Sequence, residues 1–63
     1  MEKVVVTYGK GEGKKGSVRM KPVAVENDAV VVDALGDYYV SRAIMTQLGL
    51  KDSDLVKVTF EKA

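Results

Sequence analysis

The sequence has no cysteine, no histidine and no tryptophan, and it has only one proline and one phenylalanine in 63 residues. Without cysteine there are no disulfides, and without histidine as well the usual ligands of a structural metal are missing. A chain of this length forms a single domain, residues 1–63, and buries only about 60% of the surface that the unfolded chain exposes. We therefore expect a second copy of the chain to add the stability that a small core lacks.

Long hydrophobic runs are also missing. The longest apolar run, residues 29–32, is far below the roughly 18 residues that indicate a membrane span. Met1, Glu2 and Lys3 lead directly into a strand pattern and not into the apolar segment of a signal peptide. We predict a cytoplasmic protein with no membrane partner.

The residues that usually carry catalysis are few. With no histidine or cysteine the chain lacks the commonest general base and the commonest strong nucleophile, and Ser41 and Ser53 have no evident partner. Asp52 and Asp54 lie in a polar turn without the further oxygen ligands that Ca²⁺ needs. The sequence therefore predicts a protein that binds rather than catalyses, with no cofactor, no metal and no small-molecule substrate.

Valine is abundant, with twelve copies, and β-branched side chains favour strands. The periodicity predicts a mainly β fold, a small five-stranded barrel in the order β-β-β-β-α-β, with one short helix before the last strand. The predicted strands are residues 3–8, Ser17–Val25, 29–34, 37–40 and 55–61, and the predicted helix is residues 41–48.

Two strands have unusual patterns. In Ser17–Val25 the apolar residues change parity at Pro22, which cannot donate to a strand ladder, so we expect a bulge or a bend on an edge strand. Residues 29–34 contain three consecutive valines, which predicts burial on both faces and therefore a closed barrel or a second chain.

The helix has clear end signals. Ser41 is a good N-cap, and Val40 with Met45 forms a hydrophobic staple pair. Gly49 stands where a left-handed C-terminal cap is expected, with Leu50 placed to pack back on the helix.

Residues 9–16 read GKGEGKKG, and four glycines in eight residues predict a mobile loop. Residues 11–16 match G-x-G-x-x-G, but a strand pattern follows where the dinucleotide fingerprint requires a helix. A second interpretation is a basic loop whose lysines neutralise phosphates. The third and simplest is a solvated hairpin loop. The candidate contacts in the loop and the next strand are Lys10, Lys14, Lys15, Arg19 and Lys21.

Charge is unevenly distributed although the net charge is only +1. Residues 1–25 carry six basic and two acidic side chains, a balance of +4, while residues 26–63 carry four basic and seven acidic ones, a balance of −3.

Among the aromatic residues Tyr39 is the expected exposed ring, because Tyr38 shares its parity with the inward-facing Val40. An exposed ring can stack on a base, although aromatic residues more often serve a core.

The layout, with a short helix before a last strand that pairs with the first, resembles small barrels of the Src-homology and Sm type. Residues 39–60, YVSRAIMTQLGLKDSDLVKVTF, resemble the cradle-loop barrels, which include AbrB-like regulators and double-psi barrels. That resemblance covers about the C-terminal third of the chain. Ser41 replaces the usual proline at the helix start, and the turn reads Asp52-Ser53-Asp54 where a glycine is common. The resemblance implies a homodimer with intertwined strands that often binds DNA through basic residues.

Taken together, these patterns favour a homodimeric DNA-binding or other nucleic-acid-binding protein, such as a transcription regulator or a chromatin-type protein. The candidate binding residues are Lys10, Lys14, Lys15, Arg19, Lys21 and Tyr39. The alternative is a protein-interaction or assembly module that does not bind nucleic acid and whose basic and acidic halves dock on complementary partners.

Overall fold

A computed structural model describes residues 3–63 and shows four strands and one α-helix. The elements are β1 Lys3–Lys14, β2 Ser17–Val25, β3 Tyr38–Ser41, α1 Arg42–Leu48 and β4 Val56–Glu61, with two short 3-10 helices at Glu26–Asp28 and Val32–Ala34. The observed order is therefore β-β-β-α-β. The mainly β class and the single helix before the last strand are confirmed.

The four strands form one antiparallel sheet in the order β3-β2-β1-β4, curled into a half-barrel. The last strand pairs with the first, as expected, with Val56 opposite Tyr8 and Glu61 opposite Lys3. β3 and β4 lie at the two edges of this described sheet. The closed five-stranded barrel is not observed among residues 3–63.

One face of the sheet carries the core. The buried side chains that pack together there are Val6, Tyr8, Val18, Met20, Val40, Met45 and Val56. We call this the inner face and the opposite one the outer face. Because side chains alternate along a strand, the neighbours of these core residues in β2 and β3 point outward.

The structure corrects the prediction of a mobile loop at residues 9–16. β1 continues to Lys14, which pairs with Ser17, so the connection is the two-residue turn Lys15–Gly16. The turn is held at its tip, because the Arg42 amide donates a hydrogen bond of 3.2 Å to the Gly16 carbonyl. Within β1, close packing requires glycine at position 11, because a Cβ on Gly11 would lie 2.1 Å from the Asp52 carbonyl oxygen.

The parity change at Pro22 is confirmed as a bulge, but β2 lies between β1 and β3 and is not the edge strand that was predicted. Thr7 pairs with Ala24 and Tyr8 with Pro22, which leaves Val23 as an extra residue in β2. A second irregularity lies between Gly9 and Glu12, where Lys10 adopts a positive φ of 52°. Pro22 lies beyond the part of β2 that pairs with β3, so its missing N–H breaks no ladder there.

The prediction of a strand at residues 29–34 is wrong. The segment contains the short 3-10 helix Val32–Ala34, closed by hydrogen bonds from the Ala34 amide to the Val31 carbonyl and from the Leu35 amide to the Val32 carbonyl. Val31 is 69% exposed, so the run is not buried on both faces. Local i to i+3 hydrogen bonds have replaced a strand ladder in this apolar segment.

The helix ends where the sequence predicts. The Ser41 Oγ accepts a hydrogen bond of 3.2 Å from the Ala43 amide at the N-terminus. Gly49 has a φ of 68°, and the Leu50 amide donates a hydrogen bond of 2.8 Å to the Met45 carbonyl, as in a Schellman motif. None of the described helices is long and apolar enough to cross a membrane.

Candidate nucleic-acid interface

Three strands bring the candidate residues of β2 and β3 together on the outer face. Val18 and Met20 are fully buried on the inner face, so Arg19 and Lys21 between and after them point outward. Arg19 is opposite Glu12 in β1 and opposite Tyr39 in β3. The result is a cross-strand row of glutamate, arginine and tyrosine, with Lys21 beside it.

Tyr39 is 57% exposed, which makes it the most exposed of the aromatic side chains in residues 3–63. Tyr8 is buried in the core, and Tyr38 packs between it and Phe60, with ring centroids 5.4 Å and 6.2 Å away. Tyr39 is therefore the ring of the outer face that can meet a base or a sugar, whereas Tyr38 and Phe60, although 39% and 43% exposed, pack on the inner face.

Two of the five candidate cations are engaged with carboxylates. Arg19 binds the Asp37 carboxylate, with both Nε and Nη2 at 2.5 Å from Oδ2, and this contact raises the pKa of Arg19. The Lys14 ammonium donates a hydrogen bond to the Glu12 carboxylate and lowers the pKa of Glu12. Both ion pairs are partly or largely solvent-exposed, so each contributes little to stability and can exchange with another anion.

The other three candidate cations, Lys10, Lys15 and Lys21, are exposed and form no salt bridge with another residue of the described chain. Lys15 occupies the hairpin turn, Lys10 the irregular stretch of β1, and Lys21 the outer face of β2. They are the cations that a phosphate can contact without displacing a carboxylate.

The structure adds two acidic residues that the sequence interpretation did not include, Glu12 and Asp37. Glu12 has the same parity as Lys14, so the alternation in GKGEGK would have placed both on one face had the segment been predicted as a strand. The contact between Arg19 and Asp37 joins residues 18 apart in sequence, and only the pairing of β2 with β3 creates it.

Other kinds of site are poorly represented in the described chain. Residues 3–63 contain no group of three or more acidic, histidine or cysteine side chains that could hold a metal ion. A shallow pocket of about 40 Å³ is lined by Lys3, Val5, Glu26 and Asn27. Ordinary ligand sites have volumes of roughly 300 Å³ or more.

Comparison of the chain with protein-family models, with curated proteins and with solved structures gives no match. The curled antiparallel sheet is compatible with a small barrel-like fold, and neither of the two barrel types named above is singled out by it.

Proposed function

We propose that the protein binds nucleic acid as a homodimer, mainly through phosphate contacts made by the outer face and the hairpin turn of β1 and β2. The observation that carries the proposal is the cross-strand placement of Arg19 beside Tyr39 on a surface that also displays free lysines. Cations that neutralise phosphates supply affinity, and an adjacent exposed ring supplies stacking on a base. The role that matches such binding is that of a cytoplasmic transcription regulator or chromatin-type protein.

Surface area supports the homodimer. The chain exposes 4681 Å², whereas a compact monomer of its mass exposes roughly 4,000 Å². The excess of about 700 Å² indicates a chain that is less compact than an average monomer of its mass. The molecule is also thin, with principal extents of 33 × 25 × 15 Å, so much of its sheet has cover on only one side.

A fluorescence anisotropy titration tests the proposal with duplex DNA, single-stranded DNA and RNA at two ionic strengths. Replacing Lys15 and Lys21 by glutamine should weaken binding to all sequences alike, and it should flatten the plot of log affinity against log salt by about 1.8 on duplex DNA. The matched control replaces Lys51 and Lys62, two exposed lysines outside the outer-face site, and should leave the slope unchanged.

No detectable binding by the parent, or equal slopes for the two double variants, would overturn the proposal.

The second candidate is a protein-interaction module, which the exposure of two helical side chains favours. Ile44 is 51% exposed and Leu48 is 62% exposed, one turn apart on α1. Apolar side chains at this spacing are typical of a surface that binds another protein.

A further inference from the structure

β4 presents an open strand edge. Among residues 3–63 it lies at the end of the sheet and pairs with β1 alone, through six consecutive residue pairs without a register shift. It contains no proline and no bulge, which are common devices that prevent a strand edge from pairing with another chain. β3 at the opposite edge has only four residues and leads directly into α1, so it offers a much shorter edge.

The outer-face side chains of β4 are self-complementary. Lys57, Thr59 and Glu61 alternate with the inner-face residues, and opposite charges stand at equal distances from Thr59. If a second copy of β4 pairs antiparallel about a two-fold axis at Thr59, each Lys57 is directly opposite a Glu61 of the other copy. Opposite charges in directly facing positions stabilise a pair of strands.

The inner-face side chains match in the same register. Val58 is then opposite Phe60 of the second copy, and Phe60 is 43% exposed in the single chain. Phe60 already packs edge-on against Tyr38, so this contact would extend an existing apolar cluster across the two-fold axis. Moving the axis to residue 58 or 60 keeps the faces aligned but separates Lys57 from Glu61, so the charges select the register centred on Thr59.

We infer that two copies of the chain associate edge to edge through β4, in an antiparallel pair centred on Thr59, to form one continuous eight-stranded sheet. This inference rests on the homodimer in the proposed function and assigns its interface. It uses none of the candidate nucleic-acid contacts, so the interface and the nucleic-acid site can be tested separately. Those contacts are Lys10, Lys14, Lys15, Arg19, Lys21 and Tyr39.

Cross-linking tests the geometry directly, because the natural chain has no cysteine. In Thr59→Cys the two cysteines face each other with Cα atoms about 4.5–5.5 Å apart, within the range that a disulfide spans. The control Lys57→Cys lies on the same face, but its two copies are offset by four residues, or roughly 13 Å along the strand. On mild oxidation we expect Thr59→Cys to become mostly covalent dimer and Lys57→Cys to stay uncross-linked.

Charge exchange tests the register by a second route. Lys57→Glu and Glu61→Lys each place like charges opposite each other, so each variant alone should dimerise roughly tenfold more weakly than the parent. An equimolar mixture restores both opposite-charge pairs and should form heterodimer with the parent's affinity. The control variants Lys51→Glu and Glu26→Lys change exposed charges outside β4 and should each dimerise like the parent.

Sedimentation velocity without nucleic acid measures all these dissociation constants, and far-ultraviolet circular dichroism confirms folding. Thr59→Cys that stays uncross-linked while folded, or a mixture that is no tighter than its components, overturns the β4 interface. Nucleic-acid binding by such a protein would leave the proposed function standing. Cross-linking without any nucleic-acid binding would support the interface and overturn the function.

Discussion

Gly11 in β1 lies directly against the backbone of Asp52 in the turn before β4, and a Cβ on Gly11 would be 2.1 Å from the Asp52 carbonyl oxygen and 3.0 Å from Val18 Cγ1. Two backbone segments far apart in sequence therefore meet at a position that accepts no side chain. The glycine-rich stretch serves packing of the hairpin against the turn that follows α1.

We predict that Gly11→Ala destabilises the fold by roughly 3 kcal/mol or more, because a backbone carbonyl cannot move aside as a flexible side chain can. Gly36→Ala is the control, since nothing lies within 4 Å of its added Cβ, and should change stability by less than about 0.5 kcal/mol. Gly13→Ala should be intermediate, because it meets only the ends of the Arg42 and Asp52 side chains at 2.9 Å. Urea unfolding measures all three, and equal stability of the Gly11 and Gly36 variants would contradict the prediction.

Gly49→Val should lower stability by about 1 kcal/mol or more, because a β-branched residue is strained at the φ of 68° that closes α1. Gly49→Asn should cost less, since asparagine tolerates left-handed backbone better. Thermal unfolding compares the two variants. A valine variant as stable as the asparagine variant would show that the cap conformation does not limit stability.

Glu12→Gln should strengthen nucleic-acid binding, by roughly threefold to tenfold at low salt, because it releases Lys14 from its carboxylate and removes a negative charge opposite Arg19. The salt slope should steepen by up to about 0.9. The control Glu26→Gln removes the same charge at the far end of β2 and should bind like the parent. Weaker binding by Glu12→Gln would place the ligand away from this face.

Tyr8 should make stability fall at alkaline pH. Burial raises the pKa of its phenol, so the folded state favours the neutral form. The stability that this preference contributes is fully present below the unfolded pKa of about 10 and is lost as pH rises through the folded pKa. Urea unfolding at pH 9 and pH 10.5 should show a smaller decline for Tyr8→Phe than for the parent. Tyr39→Phe, altered at an exposed ring, should retain the parent's decline.

The helix and its caps were predictable because they depend on neighbours in sequence. The hydrogen bond from the Ala43 amide to the Ser41 Oγ and the left-handed Gly49 involve atoms within a few residues of each other. The bulge beside Pro22 was predictable for a similar reason, since a change of parity within one strand is visible in the sequence. At the helix ends and at Pro22, interactions between neighbouring residues therefore restrict the backbone conformation.

The hairpin and the segment of residues 29–34 were predicted wrongly because their conformations depend on distant contacts. In the sequence the glycines of β1 are typical of a loop, and only the folded structure shows that Gly9 packs against Leu55 and Gly11 against Asp52. The valines of residues 29–34 look like a strand, but the sheet ends at β3 and β4 and gives them no ladder. Composition alone does not distinguish a strand from an apolar segment without a partner.

By itself the sequence determined the β class, the helix with both its ends, and the exposure of Tyr39, because alternation and capping act over a few residues. Only the tertiary structure decided that Asp37 neutralises Arg19, that glycine at position 11 is a packing requirement, and that β4 lies at an edge of the described sheet. Each of these depends on how the strands pair and pack, which brings together residues that are far apart in the chain.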